Sequence, residues 1–234
     1  MTTINSTALW GFPIHSELHT RAQQVLQQIH EADERRAAEL NAAAADVVIG
    51  LTKHGLEHYY HKPTEIVPLS PGIKKTADTG IKAVMGGINL VIKQFFKKRS
   101  ADELKDLSLY LDSMLWVHPD KGEPHLVFHV HAELHQRAIQ LIQRVRTESS
   151  SEAYIDEVVD TLCEVVSLSV THYYEHPTNK VSLGRVTKKT ADVSISGVEK
   201  GIRKLIDKLL REVRHEQMVM LSFHLETMLH AKEH

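Results

Sequence analysis

Cysteine is almost missing from this chain: 234 residues contain only Cys163. One thiol cannot close an internal disulfide, and no secretory signal precedes the first expected helix, so a reducing cytoplasm is the expected compartment. A charge excess is missing too. Lys and Arg total 28 against 30 Asp and Glu, a formal net charge of -2, which argues against a nucleic-acid partner because such domains carry a clear basic surplus. No apolar run reaches the roughly 18 residues that a membrane-spanning helix needs. Familiar catalytic signatures are lacking as well. The chain has no G-x-S-x-G, no H-E-x-x-H, no P-loop, no Rossmann glycine pattern and no cysteine-based zinc motif, so no nucleotide cofactor is expected.

What is present is an internal copy. His15-Ser-Glu17-Leu-His19-Thr-Arg21-Ala22 returns as His131-Ala-Glu133-Leu-His135-Gln-Arg137-Ala138, 116 positions later. His58-Tyr59-Tyr60 with Pro63-Thr64 returns at an offset of 114 as His172-Tyr173-Tyr174 with Pro177-Thr178. Lys74-Lys75-Thr76-Ala77-Asp78 matches Lys188-Lys189-Thr190-Ala191-Asp192 at that same offset of 114. With Leu107, Leu111, Met114 and Leu115 matching Leu221, Leu225, Met228 and Leu229, four matched blocks in order point to a tandem duplication. The expected units are residues 1–117 and 125–234, joined by a Pro- and Gly-containing linker at 118–124.

Each unit reads as four helices, A to D. Helix A, from about Ile14 to His30, carries Leu18, Ala22, Val25, Leu26 and Ile29 at helical spacing. Helix B ends at the His-Tyr-Tyr segment. Asp33 is its candidate cap in the first unit, and Ser149-Ser-Ser-Glu152 is a candidate capping box in the second. Helix C, from near Ile73, has a broad apolar face, and its Gly80, Gly86 and Gly87 suggest close approach of another helix. Helix D opens with the capping box Ser100-Ala-Asp-Glu103 and buries Leu104, Leu107, Leu111 and Met114. In the second unit no breaker separates C from D, so one long helix is expected there. No strand signal stands out. The expected fold class is all-α, a pseudo-twofold bundle of two four-helix units resembling a homodimer fused into one chain.

Histidine is the abundant residue, with 17 copies. His15 and His19, and likewise His131 and His135, stand four apart on the A helices, a spacing at which two imidazoles can ligate one metal ion. A site shared across the pseudo-twofold, built from those four, would suit a transition metal such as Zn or Fe. With an open coordination position it could activate water or dioxygen, as a metal-dependent enzyme does. His58 and His172 form a second candidate cluster, with His54, His61 or His176 nearby. Glu17 with Arg21 and Glu133 with Arg137 read as i,i+4 ion pairs. The plainer account makes these histidines partly buried structural residues, and their titration near neutrality offers a pH response.

Two further features carry weaker chemistry. Lys74, Lys75 and Thr76, with Lys188, Lys189 and Thr190, stand near the start of helix C, where free N–H groups and cations can hold a phosphate or carboxylate. The first helix C is also basic and amphipathic through Lys82, Lys93, Lys97 and Lys98. Its counterpart carries Glu199, Asp207 and Glu212, which favours a core helix over membrane-surface contact. The alternative to a metal protein is a non-catalytic helical module that binds a protein or membrane surface through helix C or D.

Overall fold

The computed structural model describes residues 6–181 and 183–233. A strand, β1 (Ser6–Pro13), leads into helices α1 (Ser16–His30) and α2 (Glu34–Leu56). A π-helical turn at Glu57–His61 passes into the short α3 (Lys62–Ile66), followed by α4 (Pro71–Phe95), α5 (Ala101–Met114) and strand β2 (Leu115–Val117). The series then runs again. Strand β3 (Pro124–His129) leads into α6 (Ala132–Thr147), α7 (Ile155–Val170), a second π turn at Thr171–Glu175 and the short α8 (His176–Asn179). It closes with α9 (Arg185–Glu212), α10 (His215–Glu226) and β4 (Leu229–Glu233). No helix among the described residues is long and apolar enough to cross a membrane.

The chain is mostly helical, but the all-α expectation needs correction: four strands form one antiparallel sheet in the order β2-β3-β1-β4. Leu9 to Phe12 and Pro124 to Phe128 are buried without alternation, so these runs carry no period-2 signal. The sheet interleaves the two halves. In the central ladder Gly11 faces Val127, the residue 116 positions on, and Trp10 faces Phe128. On the outer ladders Leu9 faces His230 and Trp116 faces His125. Gly11 is required by the close approach of β3, because a Cβ there would sit 2.7 Å from the Val127 Cα. The stretch 118–123, expected as a linker, is a tight hairpin loop. His118 N–H donates to the Glu123 carbonyl at 2.9 Å, and Gly122 takes a positive φ of 66°.

Several local expectations hold. Ala22, Val25, Leu26 and Ile29 form the buried stripe of α1, the Asp33 carboxylate caps α2 at Arg35 and Arg36, and the Ser100–Glu103 box caps α5. Others do not. The box expected at Ser149 is absent; Glu152 N–H donates instead to the Ser150 hydroxyl, and a 3-10 turn precedes α7. The long helix expected in the second half breaks at Val213-Arg214, where the Gln217 side chain accepts from the Arg214 N–H. Nothing lies within 4 Å of a Cβ built at Gly80, Gly86 or Gly87, so no helix packs on them. Arg21 reaches Asp46 on α2 rather than Glu17, and Arg137 reaches Glu164 and Thr161 on α7 rather than Glu133.

The main core draws on both halves, with Phe12, Phe128, Leu104, Leu134 and Met228 among its most buried side chains. A second core joins α6, α7, α9 and α10 through Val145, Tyr154, Val158, Leu210 and Leu221. Helix α4 contributes little to either. Only Ala77, Ile92 and Phe95 of its 25 residues are buried. The rest of its apolar face, Val84, Met85 and Ile88 among it, turns to an apolar cavity.

Candidate functional site

The site is built around the two π turns. An inserted residue in a helix frees a backbone carbonyl from the regular ladder, and that carbonyl must find another donor. In each half the donor comes from the other half. His224 Nε2 meets the His58 carbonyl at 2.8 Å, and the Tyr110 hydroxyl donates to the His172 carbonyl at 2.9 Å. The imidazoles are held by sheet aromatics: Phe12 stacks on His58 at 5.8 Å and Phe128 on His172 at 5.1 Å. The second tyrosine of each turn serves as a tether. Tyr60 donates to Asp78 at 2.8 Å and Tyr174 to Asp192 at 2.7 Å, while Lys74 and Lys188 pair with the same carboxylates. The carboxyl of Asp78 is held below its usual range, first by the Tyr60 hydroxyl and then by Lys74.

Between the turns lies an apolar cavity of 510 Å³. Val84, Met85 and Ile88 of α4 and Val198, Ile202 and Leu205 of α9 face it from one side, with Phe12 and Leu126 of the sheet on another. Tyr59 and Tyr173, the central residues of the π turns, present their hydroxyls to each other on its wall. The Tyr59 hydroxyl accepts from Trp10 Nε1 at 3.1 Å, and that of Tyr173 is buried without a hydrogen-bond partner of good geometry. Tyr59 keeps 39% of its surface accessible, yet desolvation raises its phenol well above the ordinary value. Both facts fit a side chain facing an interior space rather than bulk water.

A second, polar basin of 340 Å³ adjoins the cavity, and His58 and His224 line both. Three more histidines line this basin. The rings of His125 and His230 lie 4.7 Å apart, with His118 at 6.2 and 6.0 Å from them, all against Trp116. His125 is oriented by a 3.0 Å bond from Nδ1 to the Glu123 carbonyl. Burial, then the repulsion of neighbouring cations and imidazoles, lowers His58 and His230 to about 4. His125 and His224 are lowered in the same direction, again by burial first.

His15 and His131 are N-cap residues in extended backbone (ψ of 140° and 141°), and their carbonyls accept from the N–H groups of His19 and His135 at 3.0 Å. His15 packs on His54 at 4.5 Å, while His135 sits beside His230 with its Nε2 buried and unpartnered. Among the described residues no group of three or more His, Cys, Asp or Glu is arranged to hold a metal ion. His172 meets His176 at 4.9 Å, whereas His58 meets His224 at 6.1 Å. Lys74 is engaged by Asp78, and the Thr76 hydroxyl bonds to the Gly72 carbonyl. In the second copy of that motif Lys188 pairs with Asp192, and Lys75, Lys189 and Thr190 are exposed. Cys163 is half-buried, and burial raises its thiol.

The basin residues His118, His125, His224, His230 and Lys62 were not among the sequence candidates. At offsets of 114 and 116 in the sequence His125, His224 and His230 have no histidine counterpart, and the five converge from α3, the β2–β3 hairpin, α10 and β4. No protein-family model, no curated protein and no solved structure matches the chain.

Proposed function

We propose that this chain is a binding protein for an apolar or amphipathic small molecule, held in the cavity between the two π turns. The observation that carries this is the 510 Å³ space with its apolar lining, which falls in the range of ligand pockets. Apolar walls left facing such a space forgo the roughly 25 cal/mol per Å² that covering them would gain. Water fills apolar walls poorly because it finds few partners there. An apolar ligand provides that cover.

The chain's two halves are best read as a duplicated unit. The 114 and 116 offsets in sequence support this, as does the facing of Gly11 and Val127 in the central ladder. A cytoplasmic setting accords with the lone thiol of Cys163.

The test has two arms. Organic extraction and mass spectrometry of the purified protein should recover a stoichiometric apolar compound. A neutral apolar dye should bind the extracted protein, and Val84→Trp or Val198→Trp, which fill the cavity, should abolish that binding while the chain stays folded. Undiminished dye binding in both folded variants would refute the reading. Stoichiometric zinc or iron in protein free of any organic ligand would favour the metal alternative instead.

A further inference from the structure

We infer that the polar basin is a head-group site, so that the ligand is a single-chain amphiphile carrying an anionic carboxylate or phosphate. This rests on the cavity reading and adds to it the chemistry of the ligand's polar end. His58 and His224 line both spaces, so these two imidazoles are the boundary between cavity and basin, and it is past them that the inference places the chain.

Lys62 Nζ stands 3.4 Å from His58 Nε2, and neither Lys62 nor Lys121 meets a carboxylate among the described residues. Two carboxylates line the basin. Glu226 is paired with Arg146 at 2.9 Å, and Glu123 turns its carbonyl to His125. A net positive field therefore remains. His58 is 5% exposed with Nδ1 unpartnered, and His230 Nε2 is also buried without a partner. Beside these buried imidazoles the two lysines are the charged donors that an anion in the basin would meet.

At offsets of 116 and 114 in the sequence, Leu9 stands for His125, Trp116 for His230, Tyr110 for His224 and His176 for Lys62, with Trp116 itself packed against His125 and His230. The sheet pairing and the capped π-turn carbonyl are the same at both ends. The fold is thus satisfied by leucine, tryptophan and tyrosine at these positions. The imidazoles of His125, His224 and His230 are surplus to it, whereas His58 and Lys62 have His172 and His176 as counterparts at the other π turn.

The experiment uses the full chain and displacement of a neutral dye by dodecanoate, dodecyl phosphate and dodecanol, with inorganic phosphate as a separate competitor. The anionic chains should bind about 10-fold or more tighter than the alcohol, the gain expected of charge-assisted bonds. Lys62→Gln and Lys121→Gln should each erode that preference severalfold, weakening the anionic chains more than dodecanol. Lys121 is exposed on the hairpin, so its variant tests the basin without a risk to folding. Equal affinity for alcohol and anions would overturn the inference while leaving the cavity reading intact. Inorganic phosphate binding through Lys62 with no gain from the chain would overturn it in favour of a free anion. Failure of every chain, the alcohol included, would instead sink the cavity reading itself.

Discussion

Acid should unfold this protein through its basin. His58 and His230 are neutral in the folded chain down to about pH 4, because burial and nearby cations oppose their charge. In the unfolded chain both return to 6.5. Between these values the unfolded state binds protons that the folded state refuses, so stability falls as pH falls. The gap from 6.5 to about 4 corresponds to roughly 3 kcal/mol for each group, full above 6.5 and lost progressively toward 4. His125, His224 and His135 are lowered too and add in the same direction. The rings repel one another, so the cluster takes up its protons jointly rather than one residue at a time.

Urea unfolding at pH 7.5, 6.5, 5.5 and 4.5 measures this directly. Wild type should lose several kcal/mol across that series, a large share of a typical 5–15 kcal/mol. His230→Gln keeps a polar side chain but cannot titrate, and should flatten the curve by up to about 3 kcal/mol. Asp78 does not confuse the result. Its carboxyl lies below the ordinary 3.8, so its stabilisation is lost only at still lower pH. Equal stability at pH 7.5 and 4.5, or an unchanged slope in His230→Gln, would refute the account.

Two more outcomes are open to measurement. Tyr60→Phe deletes the 2.8 Å bond to Asp78 and should cost about 1.5 kcal/mol, a fall of about 3–6 °C in melting temperature for a chain of this size. Tyr174→Phe, which loses the 2.7 Å bond to Asp192, should match it; calorimetry showing no change in either would reduce the tether to a bystander. Gly11→Ala places a Cβ 2.7 Å from the Val127 Cα and should cost about 1–3 kcal/mol by forcing β1 and β3 apart, whereas denaturant titration at wild-type stability would mean the central ladder is looser than its register implies.

The helices were legible because their physics is local. A stripe such as Ala22, Val25 and Ile29, or a cap such as Asp33, is decided within a turn or two of chain. The strands were not, because the central runs of β1 and β3 are buried on both faces and find their partners across more than a hundred residues. The break between α9 and α10 was hidden for a different reason. It uses neither Pro nor Gly, only a glutamine that bonds the Arg214 amide. The His-Tyr-Tyr segments announced themselves, but their π-turn geometry did not. That geometry depends on Tyr110 and His224 reaching in from the opposite halves.

The histidines show why repetition was a poor guide to the site. Residues that recur at the 114 spacing, such as His58 and His172 or Asp78 and Asp192, occupy like places because both halves face the same structural demands. A π turn needs its imidazole stacked and its carbonyl capped wherever it occurs. The capping position itself tolerates different chemistry, since Tyr110 and His224 both supply the donor. Where the frame tolerates difference, a residue is free to answer to something else. Leu9 and Trp116 answer to packing, while His125 and His230 in the corresponding places open a polar basin against the sheet. On the reading of the chain as a duplicated unit, shared residues define the frame, and the unshared ones at equivalent positions are where a ligand is to be sought.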